Sequence, residues 1–132
     1  MKKVLYVGIG GVVGALLRYL IKEKFIDFQF SLLGSILWGT LIVNISGSFI
    51  LAAFMTLSLS RFKVSEAMRL AVATGLLGAY TTFSTLCRET VNLAYNGFWW
   101  TAFTYAAFSV LLGLVAAFLG VYSIERLLNK LN

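Results

Sequence analysis

Hydroxyl side chains are concentrated in one short stretch of an otherwise apolar region. No charged residue occurs between Leu70 and Cys87. Within this region, one phenylalanine, Phe83, is flanked by Thr81, Thr82, Ser84 and Thr85. Such hydroxyls compete with backbone hydrogen bonds and weaken a helix, although they can also bond back to the carbonyl four residues earlier and leave it continuous. Of these two alternatives the sequence favours a helix break.

A break in a membrane-spanning helix would expose backbone groups that must then be buried in protein or line a cavity. Freed carbonyl oxygens suit a hard cation, whereas freed amides and hydroxyls suit an anion. The hydroxyl stretch is therefore the first candidate for ion chemistry.

A second candidate is the polar stripe in the segment GTLIVNISGS, residues 39–48. Thr40, Asn44 and Ser48 are four residues apart and share one helix face. The stripe fits hydrogen bonding between helices, but an asparagine amide deep in a membrane also favours a polar path, because its two N–H donors need acceptors.

Four further polar residues are weaker candidates. Arg18 lies near the end of the first apolar run, where an arginine is either functional or reaches the membrane surface. Tyr105 and Ser109 are four residues apart and share one face of the last run. Glu89 is adjacent to Arg88 and could pair locally or with another helix.

Several kinds of chemistry lack the residues that they need. The chain has no histidine and one cysteine, so the usual general base, the usual transition-metal ligand and an internal disulfide are missing. No carboxylate lies deep in an apolar run. The chemistry predicted is passive permeation of a small polar or anionic species past neutral hydrogen-bond donors, and not catalysis.

The composition predicts an all-α membrane protein with one domain, residues 1–132. Of the 132 residues, 60% are hydrophobic and 12% are charged, against about 45–50% and 25% in soluble domains. The apolar runs predict four spanning helices, and Tyr95–Gly97 and Asp27–Leu33 predict a turn and an interfacial segment. The spans are expected at about residues 3–22, 34–59, 67–94 and 98–124.

The net charge of +6 is best explained by basic residues that flank the spans, rather than by nucleic-acid binding. Their excess on the N-terminal side is modest, which permits insertion in both orientations. Four helices enclose little space, so oligomerisation is expected for a transport role. Glycines at small-residue spacing offer packing surfaces: Gly10 with Gly14, and Gly113 with Gly120.

Three segments make the chain similar to the Fluc (CrcB) family of fluoride channels. They are GGVVGALLRY in the first span, GTLIVNISG in the second and TGLLGAYTTFST in the third. The resemblance covers essentially the whole chain, and its second and third segments together are specific.

The resemblance implies a passive fluoride channel in a bacterial-type inner cell membrane. It implies an antiparallel, dual-topology homodimer with two pores and a third helix broken near its centre. A structural Na⁺ would lie on the dimer axis, held by the backbone carbonyls of Gly78 and Thr81 from both subunits.

The resemblance also implies roles for individual side chains. Asn44 and Phe83 would line the pore together with the hydroxyl groups of Thr40, Ser84, Thr85, Tyr105 and Ser109. Arg18 and Glu89 would lie in the vestibules.

Two positions depart from the family pattern. The family's second pore phenylalanine falls at Leu86, which has no polarised ring edge for an anion. A further hydroxyl of the fourth span falls at Gly113. These departures leave a subunit of a heterodimeric channel as an alternative. A small multidrug exporter is a weaker alternative, because Val4–Ile21 lacks the carboxylate that couples such exporters to protons.

Overall fold

The apolar runs of the sequence form long helices in the computed structural model, which describes residues 2–24, 37–60 and 64–130. The helices are α1 (Lys2–Lys24), α2 (Trp38–Ser60), α3 (Glu66–Arg69), a π-helical stretch (Leu70–Leu77), α4 (Gly78–Tyr80), α5 (Phe83–Tyr95) and α6 (Trp99–Lys130).

Four helical segments in this part of the chain are long and apolar enough to cross a membrane: Lys2–Lys24, Trp38–Ser60, Glu66–Tyr95 and Trp99–Lys130. The predicted all-α architecture and the number of spans are confirmed. The last span runs about six residues beyond its predicted end. The predicted interfacial segment Asp27–Leu33 and the predicted start of the second span lie outside the described residues.

The third span is not a uniform α-helix. Ser65 caps its start by accepting a hydrogen bond from the Met68 N–H at 3.3 Å. The π-helical stretch follows, which the sequence pattern did not predict. At Thr81 (φ −75°, ψ 155°) and Thr82 (φ −151°, ψ 107°) the backbone is extended, so helical geometry stops after Tyr80 and resumes at Phe83.

Glycines allow α1 to pack directly on the π-helical stretch. A Cβ at Gly10 would lie 2.2 Å from the Ala71 carbonyl oxygen, and a Cβ at Gly14 would lie 2.0 Å from that of Leu76. Gly75 faces α1 in the same way, with the Val7 oxygen 2.5 Å from its hypothetical Cβ. The predicted packing surface in α1 is therefore a backbone-to-backbone contact.

The helices α2 and α6 form the other close pair. A Cβ at Gly120 would lie 2.5 Å from the Phe49 carbonyl oxygen. Gly113 is less tightly confined, since its nearest neighbour would be the Ser48 hydroxyl at 3.7 Å. The α5–α6 connection turns at Gly97, whose φ of +87° favours glycine.

Buried apolar side chains form two clusters. One consists of Leu41, Leu86, Leu93, Ala102 and Tyr105, and the other of Val43, Leu77 and Tyr80. Many other large apolar side chains point outward, including Val4 (76% exposed) and Phe103 (68% exposed). An apolar exterior of this kind fits a lipid environment.

The close contact at Gly14 leads to a stability prediction. Substituting Gly14→Ala should lower the free energy of unfolding by about 2 kcal/mol, because the methyl group would displace α1 from the Leu76 backbone. Gly8→Ala is the matched control, since nothing lies within 4 Å of its hypothetical Cβ. The thermal midpoints of the purified variants in detergent check this, and equal midpoints for the two variants would contradict the packing described.

Candidate functional site

Two rows of residues face each other between α2 and α6. In α2 the row is Thr40, Asn44 and Ser48; in α6 it is Tyr105, Ser109 and Gly113. The helices run in the same direction, because Thr40 and Tyr105 contact the same side chain and Ser48 lies beside Gly113. Each row extends over nine residues, or about 12 Å of helix. The predicted polar stripe of α2 therefore faces a neighbouring helix along its whole length.

Asn44, in the middle of the stripe, binds the non-helical backbone of the third span. Its Nδ2 donates to the Thr82 carbonyl oxygen at 3.1 Å, and its Oδ1 accepts from the Thr82 N–H at 2.8 Å. This reciprocal pair satisfies both backbone groups of an extended residue that is 6% exposed. Without Asn44, these groups would lack partners in an apolar environment.

The same region diverts two backbone N–H groups from the α-helical pattern. The Thr82 N–H, which would donate to Gly78 in a continuous α-helix, donates to Asn44. The Thr85 N–H, which would donate to Thr81, donates to the Thr82 hydroxyl at 3.2 Å. The carbonyls of Gly78 and Thr81 are thereby released from their α-helical donors.

The remaining contacts of α2 hold the extended residues in place. Gly47 makes room for them, since a Cβ there would lie 2.3 Å from the Thr81 methyl and 3.1 Å from the Tyr80 ring. Ser46 and the Tyr80 hydroxyl are hydrogen-bonded at 2.8 Å. Thr81 bonds back to the Leu77 carbonyl at 2.9 Å, yet the helix still ends.

A groove of about 350 Å³ runs beside this junction. Polar groups of Asn44, Ser48, Thr81, Thr82 and Ser109 contribute to its lining, and no titratable side chain does. Its apolar lining includes Phe83, Leu86 and Gly113. The groove is therefore uncharged and has one polar side.

The predicted pore residues occupy different positions relative to this groove. Phe83 is 74% exposed and forms part of the wall. The side chains of Ser84 and Thr85 gather on the Thr82 hydroxyl, with oxygen–oxygen distances of 3.4 Å and 2.8 Å. The Ser109 hydroxyl donates to the Tyr105 carbonyl oxygen at 2.7 Å within its own helix.

Glu89 lies beyond the Tyr105 end of the two rows and accepts three hydrogen bonds. Thr40 donates to its Oε1 at 2.9 Å, and Tyr105 donates to its Oε2 at 2.7 Å. The ammonium of Lys22 in α1 contacts Oε1 at 3.0 Å. Of the two alternatives open from the sequence, Glu89 pairs with another helix rather than with its neighbour Arg88.

Arg18 is not brought into this arrangement. It is half-buried on α1 and forms no salt bridge with a carboxylate of the described residues. Within the same residues, no cluster of three or more histidine, cysteine or acidic side chains could hold a metal ion.

Sequence reasoning did not predict two contacts of the candidate site, those of Lys22 with Glu89 and of Thr82 with Asn44. Lys22 counts in the sequence only as one of the basic residues that flank a span, and its pairing with Glu89 has no local signal. Thr82 was recognised as part of a hydroxyl stretch, but its binding to Asn44 depends on the packing of α2 against the third span.

The Asn44–Thr82 pair leads to a second stability prediction. Asn44→Ala should lower the free energy of unfolding by about 2 kcal/mol or more, because it leaves a buried carbonyl and a buried N–H without partners. Asn92→Ala, at an exposed position on α5, is the control and should change stability little. Thermal unfolding in detergent measures both, and an Asn44→Ala midpoint like that of the control would rule out this role.

Comparison with known proteins identifies relatives that extend over almost the whole chain. Residues 5–121 match the family model described as "CrcB-like protein, Camphor Resistance (CrcB)". A protein of Magnetococcus marinus named fluoride-specific ion channel FluC is 41% identical over 120 residues, which cover 90% of this chain and 94% of the relative.

Two further proteins with the same name are similar to this chain. The one from Allorhizobium ampelinum is 42% identical over 123 residues, covering 92% of this chain and 94% of its own length. The one from Bacteroides fragilis is 38% identical over 126 residues, which cover 96% of this chain and 98% of the relative. With these matches and four apolar spanning helices, the chain belongs to the CrcB family of membrane proteins.

Proposed function

We propose that this protein is a passive, fluoride-selective channel that exports fluoride across a bacterial-type inner cell membrane. The observation that carries the proposal is the groove between α2, α6 and the third span, which has an apolar wall, a polar side of neutral groups and no titratable side chain in its lining. Family membership and the names of the relatives supply the identity of the ion.

The chemistry of the groove suits fluoride, which is small, strongly hydrated and needs close donors in place of water. Asn44 has two amide N–H donors, and among the described residues Nδ2 donates to Thr82 alone, which leaves a second donor for an anion. The hydroxyls of Ser48 and Ser109 now donate to carbonyls of their own helices and would rotate to serve an ion. The ring edge of Phe83 adds a weakly positive surface.

The channel is proposed to be an antiparallel, dual-topology homodimer with two pores. In the single chain, Phe83 is largely exposed although it lines the groove. A second copy packed against this side would cover the ring and complete the wall. Weak charge bias across the membrane would allow both orientations.

A structural Na⁺ is proposed at the centre of the dimer, held by the backbone carbonyls of Gly78 and Thr81 from each subunit. The donor set fits, because both carbonyls are released from their α-helical N–H donors. Oxygen ligands suit a hard cation. The ion would supply fixed positive charge near the groove without a titratable group.

Flux from the purified chain tests the channel and the homodimer together. In liposomes that contain only this protein, fluoride efflux should exceed chloride efflux. Asn44→Asp should reduce fluoride efflux by about tenfold or more, because a negatively charged carboxylate replaces an amide that donates hydrogen bonds to the anion. Asn92→Asp is the control, since it introduces the same charge at an exposed position on α5.

Three outcomes would contradict parts of this proposal. Equal fluoride flux in wild type and Asn44→Asp would exclude Asn44 from the path. Absent flux from the chain alone, restored by a related chain, would favour the heterodimeric alternative. Comparable chloride and fluoride flux would refute selectivity.

The cation site predicts a stability effect that does not depend on flux. The thermal midpoint in detergent should rise more with NaCl than with N-methylglucamine chloride at the same ionic strength. The reason is that an ion that binds only the folded dimer stabilises the dimer. Identical midpoints in the two salts across a wide concentration range would speak against the Na⁺ site.

A further inference from the structure

The side chain of Lys22 is directed by the packing of α1 against α2. A Cβ at Gly39 would lie 3.1 Å from the Lys22 Cα and 3.3 Å from its Cγ. The buried glycine therefore lets the last turn of α1 pass close to the first turn of α2. This contact carries the lysine stem past α2 and its ammonium to Glu89 on α5.

The resulting ion pair joins charge to the polar rows. Lys22 Nζ and the Thr40 hydroxyl share Glu89 Oε1, at 3.0 Å and 2.9 Å, while Tyr105 occupies Oε2. The side chains of Lys22 and Glu89 are 32% and 14% exposed, so salt screens this pair less than a surface pair. Thr40 and Tyr105 are almost completely buried.

The charge of Glu89 would oppose an anion in the same place. An ionised carboxylate only accepts hydrogen bonds, so it repels an anion and also engages the hydroxyl donors of Thr40 and Tyr105. The ammonium of Lys22 cancels that charge. It also competes with Thr40 for one carboxylate oxygen, which makes the hydroxyl easier to release to an ion.

We propose that Lys22 determines the rate of anion passage at the Thr40–Tyr105 end of the two polar rows by neutralising Glu89. This inference rests on the proposed channel function and adds a residue from α1 to it. Lys22 acts through Glu89, whose charge its ammonium compensates.

The test compares fluoride efflux from liposomes for matched charge variants. Lys22→Gln should slow efflux by about tenfold, because it leaves Glu89 uncompensated. Lys22→Arg should stay within about threefold of wild type, since it keeps the charge and the reach. Lys24→Gln is the control, because it removes the same charge from an exposed position two residues away.

A double variant separates charge compensation from a structural role. Lys22→Gln combined with Glu89→Gln leaves no charge in the cluster, so efflux should recover to within about threefold of wild type. Failure of the double variant to recover would overturn the inference, as would equal efflux in Lys22→Gln and wild type. If the elution profile shows that Lys22→Gln does not fold, the fluoride efflux of the double variant is compared directly with that of wild type. It should then still lie within about threefold of wild type.

These outcomes are distinct from a failure of the proposed function. Wild-type protein without fluoride flux would contradict the channel itself. Wild-type flux that survives Lys22→Gln would contradict only the role of Lys22.

Discussion

The reciprocal hydrogen bonds between Asn44 and Thr82 are the interaction on which the rest of the structure depends. An extended residue in the middle of an apolar span has a carbonyl and an N–H that lipid cannot satisfy. Asn44 satisfies both from the neighbouring helix. The same bonds take the Thr82 N–H away from Gly78, so the helix interruption and the loss of the α-helical donor at the Gly78 carbonyl have one common cause.

Close helix packing follows from the need to hold that pair at hydrogen-bond distance. Gly47 brings α2 against Thr81, and Gly10 and Gly14 bring α1 against the π-helical stretch that precedes the interruption. Apolar side chains gain little from each other in lipid, so backbone contact through small residues provides this precision. Between α2 and α6, the looser contact at Gly113 leaves room for the groove beside Ser48.

Polarity along α2 and α6 is graded. The groove near Asn44 and Ser109 is lined by neutral groups, whereas the Thr40 and Tyr105 hydroxyls converge on the charged Glu89. A largely buried carboxylate requires compensation, and the ammonium of Lys22 contacts it from a third helix. The site is thus assembled from α1, α2, α5 and α6, and no single helix contains its chemistry.

The sequence by itself determined the membrane class, the number of spans and the faces that carry polar residues. Apolar run length reports span length, and four-residue spacing reports a helix face, so these features are local. The hydroxyl residues around Phe83 likewise indicate a segment with low helix propensity. The family motifs identify the relatives. Each of these signals lies within one segment of the chain.

Only the tertiary structure decided which groups meet. Thr40 was predicted as a pore hydroxyl, and the structure adds that it donates to Glu89, 49 residues away. In the sequence, Lys22 cannot be distinguished from any other lysine that flanks a span. In the structure, its close packing on Gly39 of α2 brings its ammonium to the Glu89 carboxylate. The π-helical stretch and the extended Thr81–Thr82 depend on glycine contacts with α1 and on hydrogen bonds with α2. Such pairings depend on how distant segments pack, because a hydrogen bond or a close backbone contact requires both partners at the same place in space.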